Sequence, residues 1–176
     1  VELVAATIDK YNLQNVVIDP VMVCKGCDLI LVPDAAESIK KLLMPRCDII
    51  TPNTVEAAYL ADMPEVTTVE QIKEAAEKIV AAGAKSVVIK GGERLSDNSA
   101  IDIFYDGKEF TEMAVPKIYP SYNHGAGCTF SAAITAGLAN GLSMKEAVLQ
   151  AKKFVTAALK HGFAINNMVG CTNHTA

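Results

Sequence analysis

Short aliphatic runs alternate with longer helical segments along this chain, and this alternation constrains the fold more than any other feature. Residues 16–18, 48–51 and 86–90 are predicted to be buried strands because they are short, β-branched and bounded by turn residues. Strands that alternate with helices form a parallel sheet covered on both faces, and its ligands bind beyond the carboxyl ends of the strands. Function is therefore expected at the residues that end or follow strands: Asp19, Asn53, Lys90 and the segment 125–128.

Helix signals occupy the intervals between the strands. Helices are predicted at residues 1–11, 34–44, 54–61, 68–82, 125–141 and 143–161. Asp34 is a candidate N-cap for the second of these helices. Two residue pairs have the spacing of capping boxes, namely Thr68 with Gln71 and Ser143 with Glu146. Residues 100–115 predict a β-hairpin around the Asp106-Gly107 turn.

The composition indicates one folded domain, residues 1–176, because 51% of residues are hydrophobic and 20% are charged. A net charge of −4 without a basic run argues against nucleic acid or an anionic membrane surface as a partner. No apolar run approaches the roughly 18 residues of a membrane helix. An odd number of cysteines favours free thiols in a reducing cytoplasm. The chain opens at Val1 within a predicted helix, so we expect that upstream sequence is missing.

The stretch Asn-His-Gly-Ala-Gly-Cys-Thr-Phe-Ser-Ala-Ala at residues 123–133 carries the most specific chemistry. Two glycines flank one small residue directly before a helix, so backbone N–H groups point into a concavity at the positive end of the helix. Such a site suits the oxygens of a phosphoryl group. Cys128 falls in the first turn, where a thiolate is favoured, and is a candidate base toward a substrate hydroxyl. The alternative is a tight turn that carries a buried cysteine.

Residues 124–133 resemble the anion-hole motif of the ribokinase superfamily. The match is to the branch that holds the hydroxymethylpyrimidine (phosphate) kinases of thiamine synthesis and the similar pyridoxal kinases of Gram-positive bacteria. Most of the superfamily has Asp at the position of Cys128. Other blocks match in order, at residues 16–26, 50–57, 88–92 and 169–174. The resemblance covers the whole chain and implies a three-layer α/β/α ribokinase-like sandwich with a mostly parallel sheet, here without its N-terminal third.

The resemblance implies an ATP- and Mg²⁺-dependent kinase and assigns a role to each candidate. Cys128 is the implied catalytic base, and Gly125, Ala126 and Gly127 supply the backbone anion hole. Lys90 pairs with the ATP phosphates as a point charge, unless it is only a solvated lysine at a strand end.

Two carboxylates are implied to serve the metal. Asp19 and Glu56 are oxygen donors suited to Mg²⁺, directly or through water. The alternatives are a turn-forming Asp before Pro20 and a solvated helical Glu. Asn53 orients the nucleotide phosphates or merely caps the helix that follows it.

A heteroaromatic ring with a hydroxymethyl group is the implied substrate. Val21 would touch the ring, and Cys24, in a segment that resembles a mobile lid, would cooperate with Cys128. The position of Cys24 favours a vitamin B6 vitamer, with the pyrimidine of thiamine synthesis as the close rival. A non-catalytic vitamer-binding module is an alternative of another class, and a redox or zinc function of the Cys24–Cys27 pair is a third. The resemblance also implies a homodimer.

Overall fold

A five-stranded sheet organises the fold. The computed structural model describes residues 1–23, 30, 32–92, 95, 98–120, 122–167 and 169–175. The strands lie side by side in sequence order: β1 (Val17–Ile18), β2 (Ile49–Ile50), β3 (Val87–Gly92), β4 (Ser99–Tyr105) and β5 (Phe110–Pro116). The first three are parallel, and β4 is antiparallel to both of its neighbours. Four of these five strands therefore run in one direction, which confirms the prediction of a mostly parallel sheet.

The predicted helices are all present. They are α1 (Glu2–Tyr11), α2 (Pro33–Ser38), α3 (Thr54–Leu60), α4 (Val69–Ala81), α5 (Ala126–Ala139) and α6 (Met144–Lys160). The helix α2 continues into a π turn at Ile39–Leu43 and a 3₁₀ turn at Met44–Arg46. Its N-cap is Val32, so the prediction that Asp34 caps this helix is wrong; Asp34 lies inside the first turn, behind Pro33. Both predicted capping boxes form, at the starts of α4 and α6.

Helices cover both faces of the sheet, because successive strand residues point to opposite sides. Val87 and Ile89 of β3 pack into one core with α3 and α4. Val88 packs into a second core with α5 and α6. Ile49 and Ile50 of β2 divide between the two cores in the same way. This arrangement is the predicted three-layer sandwich.

The hairpin between β4 and β5 turns through four residues. The strands pair up to Tyr105 and Phe110, whose rings stack with centroids 4.3 Å apart. Between them, the Asp106 carboxylate accepts hydrogen bonds from the N–H groups of Lys108 and Glu109, at 2.8 and 2.7 Å. These side-chain hydrogen bonds stabilise a four-residue loop, so the predicted two-residue Asp-Gly turn is wrong.

The tail of the chain returns to the start of α5. It forms a short antiparallel pair, β6 (Phe163–Ala164) and β7 (Gly170–Cys171), which the sequence did not predict. His124 donates its N–H to the Gly170 carbonyl at 3.1 Å and accepts from the N–H of Thr172 at 3.2 Å. The tail therefore supports the glycine-rich turn. None of the helices in the described ranges is long and apolar enough to span a membrane.

Candidate active site

The turn before α5 leaves backbone donors open. Gly125 is the N-cap, with φ of 85°, a left-handed conformation that glycine adopts readily, and no side chain caps the helix. The N–H and hydroxyl of Thr129 both donate to the Gly125 carbonyl, at 2.9 and 2.8 Å, and fix the turn. Within the part of the chain that the structure describes, the N–H groups of Gly127 and Cys128 have no acceptor. They are the unsatisfied donors that every helix start carries.

Gly125 and Gly127 agree with the predicted set of Gly125, Ala126 and Gly127, because the N–H of Gly125 likewise has no acceptor among the described residues. The N–H of Ala126 donates to the Asn123 carbonyl at 3.2 Å and is used within the turn. The N–H of Cys128 instead joins that of Gly127 at the open end of the helix.

The thiol of Cys128 lies at the surface of this first turn. The alternative of a buried cysteine is therefore wrong. Cys128 lines a cavity of about 410 Å³ together with residues of α5 and of the tail, namely His124, Gly125, Thr129, Ala132, Cys171, Thr172 and His174. An exposed thiol beside open N–H groups has the access that a base toward a bound hydroxyl needs. Its catalytic role stays a prediction.

Lys90 lies between the strand ends and α5. Its ammonium is 3.2 Å from Asp19 Oδ1, and each side chain is 19% exposed. A Cβ atom placed on Gly127 would lie 3.3 Å from Lys90 Nζ, so glycine at this position leaves room for the ammonium. The alternative of a solvated lysine at a strand end is wrong. A cation held directly beside open N–H groups is the electrostatic environment that phosphate oxygens require.

Asp19 keeps one carboxylate oxygen available. Its Oδ1 accepts from Lys90 and from the hydroxyl of Thr51, both at 3.2 Å. Its Oδ2 has no hydrogen-bond partner among the residues that the structure describes. Mg²⁺ typically takes one or two protein carboxylates and completes its shell with water and phosphate oxygens, so Asp19 fits a magnesium ligand.

Glu56 is buried, with 3% of its surface exposed, which contradicts the alternative of a solvated helical residue. Its Oε2 accepts from the N–H of Asn53 at 2.8 Å and its Oε1 from that of Met22 at 3.2 Å. Burial raises the pKa of Glu56, while these N–H groups and the charge of Lys90 act in the opposite direction. Both carboxylate oxygens are therefore already engaged, and a contact of Glu56 with Mg²⁺ stays a prediction. No cluster of three or more His, Cys, Asp or Glu side chains suited to a metal occurs in the described ranges.

Asn53 caps α3, as one of its two proposed roles requires. Its Oδ1 accepts from the N–H groups of Val55 and Glu56, at 2.9 and 3.0 Å. This assignment turns the Nδ2 amide outward, and no residue in the described part of the chain accepts from it. Asn53 pairs with Lys90 through a parallel β-bridge, so the amide lies at the same edge of the sheet.

Comparison with known proteins identifies the family. The sequence profile of the phosphomethylpyrimidine kinase family matches residues 1–173. The chain belongs to this family.

Members of the phosphomethylpyrimidine kinase family with assigned activities are similar over the whole chain. A pyridoxine kinase of Bacillus subtilis is 49% identical over all 176 residues. A hydroxymethylpyrimidine/phosphomethylpyrimidine kinase of the same organism is 40% identical over the same length. The chain spans 65% of the length of each of these two relatives.

Solved structures of family members confirm the ribokinase fold. An ADP complex of Bacillus subtilis pyridoxal kinase superposes with a TM-score of 0.94 at 50% identity, over 99% of this chain and 66% of that one. Pyridoxal kinase from Staphylococcus aureus, in complex with AMP-PCP and pyridoxal, gives 0.91 at 42% identity, over 99% of this chain and 62% of that one.

The structure describes one of the two predicted substrate contacts. Val21 is 65% exposed just beyond β1, and its N–H donates to the Asp19 carbonyl at 2.9 Å, which places it at the edge of the site. Its contact with the ring stays a prediction. Cys24 and its neighbour Cys27 lie outside the described residues, so the lid contact and the redox alternative both stay predictions.

Two buried hydroxyl groups at the site escaped the sequence analysis. Thr51 follows β2, and its Oγ1 lies 3.0 Å from Oγ of Ser131 on α5. The signal was present, because Thr51 interrupts an aliphatic run directly before Pro52 and Asn53. Nothing in the sequence shows that a residue 80 positions away meets it.

Proposed function

We propose that the protein transfers the γ-phosphate of ATP to the hydroxymethyl group of a vitamin B6 vitamer, which is pyridoxal, pyridoxine or pyridoxamine. One observation carries the proposal. The uncapped start of α5, with the exposed thiol of Cys128, faces the ammonium of Lys90 in a chain that is 49% identical to a pyridoxine kinase. ATP as phosphate donor is supported by the ADP and AMP-PCP complexes of the pyridoxal kinases.

Each residue has a physical role in this reaction. The N–H groups of Gly127 and Cys128 receive oxygens of the transferring phosphoryl group, and the ammonium of Lys90 offsets the charge on those oxygens. The Cys128 thiolate takes the proton of the substrate hydroxyl as its oxygen attacks in line. These groups sit on the ends of β3 and α5, so the sheet and the helix hold them in a fixed relation.

The cation that accompanies ATP would be held by Asp19. When bound, Mg²⁺ neutralises charge on the β- and γ-phosphates. Asp19 suits this role through its available Oδ2. Glu56 holds the Asn53 and Met22 backbone in place beside it and would reach the cation only through water.

The pyrimidine of thiamine synthesis is the second candidate substrate. It is favoured by the 40% identity with a hydroxymethylpyrimidine/phosphomethylpyrimidine kinase. The B6 vitamer is preferred because the identity with the pyridoxine kinase is higher, at 49%, and because Cys24 occupies the lid position that the pyridoxal-kinase-like subgroup uses. We also propose that the protein is a homodimer in the cytoplasm.

The deciding experiment measures ADP production from Mg·ATP by the protein as its gene encodes it. Pyridoxal, pyridoxine and hydroxymethylpyrimidine are offered separately at matched concentrations. We expect kcat/KM to be highest for a B6 vitamer. Preference for the pyrimidine would assign the protein to thiamine synthesis and would contradict the proposed lid role of Cys24. Vitamer binding without ADP production would instead support a non-catalytic binding module.

The role of Cys128 is tested by Cys128→Ala. Loss of a general base lowers kcat by about 100-fold or more, whereas the Kd for AMP-PCP should stay unchanged. Cys171→Ala is the matched control, because Cys171 is a half-buried thiol that lines the same cavity but belongs to β7 and not to the first turn of α5. Full turnover by Cys128→Ala would remove this thiol from the mechanism.

A further inference from the structure

A pair of buried hydroxyl groups connects the two halves of the site. Thr51 is fully buried after β2, and Ser131 is 8% exposed on α5. Their Oγ atoms are 3.0 Å apart, and either can be the donor. The chemistry proposed above uses neither hydroxyl.

One end of the pair reaches the carboxylate that suits the cation. Thr51 Oγ1 lies 3.2 Å from Asp19 Oδ1, the same oxygen that accepts from Lys90. The only other oxygen near Thr51 Oγ1 in the described part of the chain, besides that of Ser131, is the Ile18 carbonyl, at the limiting distance of 3.5 Å.

The other end of the pair reaches the anion hole. Ser131 Oγ lies 3.1 Å from the carbonyl oxygen of Gly127. That carbonyl belongs to the same peptide group as the open N–H of Cys128. A hydrogen bond accepted by a peptide carbonyl polarises the group and strengthens its N–H as a donor.

The protons do not suffice for all of these contacts. Two hydroxyl groups supply two protons, but each of three contacts needs a proton to be a hydrogen bond. The contacts are those of Asp19 with Thr51, Thr51 with Ser131, and Ser131 with the Gly127 carbonyl. With the central bond made, the chain of donors points either toward Asp19 or toward Gly127. The Asp19 carboxylate, whose only cation among the described residues is Lys90, is a stronger acceptor than a peptide carbonyl and draws the protons to itself.

We propose that Thr51 and Ser131 are positioning residues that couple the binding of a metal cation at Asp19 to the donor strength of the Cys128 N–H. A metal cation on Asp19, in addition to Lys90, makes the carboxylate a weaker acceptor, so the preferred direction reverses and Ser131 donates to the Gly127 carbonyl. The anion hole is then strongest when the metal–nucleotide complex is present. This coupling rests on the proposed function for its purpose, but its test uses no vitamer.

The test is nucleotide binding by calorimetry with AMP-PCP, in Mg²⁺ and in EDTA. Thr51→Val removes the hydroxyl at constant shape, Ser131→Ala removes its partner, and Thr51→Ser retains a hydroxyl. We expect Ser131→Ala to weaken binding in Mg²⁺ by about threefold to tenfold, the scale of one hydrogen bond, with no change in EDTA, because the Gly127 carbonyl then has no hydroxyl donor. Thr51→Val leaves Ser131 free to donate to that carbonyl at all times, so it should strengthen binding in EDTA by a similar factor and leave binding in Mg²⁺ unchanged. Thr51→Ser should bind as the unaltered protein does.

The double variant separates coupling from simple structural damage. Thr51 reaches the Gly127 carbonyl only through Ser131, so Thr51→Val with Ser131→Ala should match Ser131→Ala alone. Additive effects of the two changes, equal effects with and without Mg²⁺, or effects that follow the free energy of unfolding would overturn the coupling. If the unaltered protein binds no Mg·AMP-PCP, both the coupling and the proposed function are wrong. If it binds the nucleotide but phosphorylates no vitamer, only the proposed function falls.

Discussion

The starts of α3 and α5 lie at the same edge of the sheet and are built in opposite ways. At α3, Asn53 and Glu56 form a capping box, and the carboxylate of Glu56 also accepts from the N–H of Met22. At α5, Gly125 offers no side chain, and the N–H groups of Gly127 and Cys128 are open. Each helix carries a partial positive charge at its N-terminus, but at α3 this charge is neutralised by the protein's own side chains. Only the second can receive oxygens from outside.

The other long helices after the first strand follow the α3 pattern. The helices α4 and α6 both begin with complete capping boxes. An N-cap is worth about 0.5 to 2 kcal/mol, so the uncapped start of α5 forgoes stability that its neighbours have. This contrast supports a ligand at α5, and four measurements test it.

The largest effect is expected from giving α5 an acidic side chain of its own. Gly125→Asp would bring a carboxylate to the open N–H groups, where it competes with the phosphoryl oxygens and repels them. We expect kcat/KM to fall by roughly 1,000-fold, the upper end for loss of anion-hole donors. Steady-state kinetics with Mg·ATP and the preferred substrate measure it.

Gly141→Asp is the matched control for this variant. Gly141 ends the same helix region with φ of 84°, and nothing lies within 4 Å of the position of its Cβ. Both variants carry a similar backbone cost of about 1 kcal/mol, but Gly141→Asp should keep its activity. Equal activity of the two variants would place the anion hole elsewhere.

Two lysines near β3 provide the next comparison. Lys90 lies within β3 and Lys85 lies two residues before it, and each pairs with an aspartate, Asp19 and Asp48 respectively. Lys90→Met should lower kcat/KM by roughly 100-fold, because it removes the cation beside the phosphates. Lys85→Met removes a lysine whose side chain is 69% exposed and should leave activity unchanged, with at most a small loss of stability. A matched loss in both variants would contradict the role of Lys90.

The capping box at α3 can be separated from nucleotide binding. Asn53→Ala should lower the free energy of unfolding by about 1 kcal/mol, as should Ser143→Ala at α6, which lies away from the site. Asn53→Asp retains the capping oxygen but replaces the outward amide donor by an oxygen. We expect it to keep its stability and to raise the KM for ATP by about twofold to tenfold. An unchanged KM would leave Asn53 with capping alone.

The smallest effect concerns the buried carboxylate at α3. The pKa of Glu56 is raised in the folded protein, chiefly by burial, so the folded state holds its proton at a pH where the unfolded state has released it. The free energy of unfolding should therefore fall as pH rises from 4.5 through the raised pKa, and level off above it. Urea unfolding at a series of pH values upward from 4.5 measures this slope.

Glu56→Gln removes the titrating group and is the comparison for that slope. Four exposed carboxylates, Asp9, Glu37, Asp106 and Glu146, have lowered pKa values and act at lower pH. An equal slope in Glu56→Gln would assign the effect to another group.

Local patterns predicted most of the fold, because strands, caps and helix ends are encoded by neighbouring residues. The capping boxes at Thr68 and Ser143 depend on residues three positions apart and were predicted correctly. The errors arose where a side chain changed a local preference, as Asp106 did when it stabilised a longer loop. The candidate residues Asp19, Asn53 and Lys90 were found because each lies at the end of a strand.

Long-range contacts escaped prediction for a physical reason. The bond between Thr51 and Ser131, and the placement of Lys90 against Gly127, depend on how α5 lies on the sheet. Sequence periodicity shows which face of a helix is apolar but not which strand end that face meets. For the same reason, the burial of Glu56 could not be seen from its spacing to Asn53.

The single reversed strand, β4, has a consequence for access to the molecule. β3 ends and β4 begins at the edge that carries Asp19 and Lys90. The turn between β4 and β5, at residues 106–109, lies at the opposite edge, and β5 then runs back toward the edge of the site. That remote turn is thus a natural attachment point, where a fluorophore or an inserted tag would report on the protein without touching its chemistry.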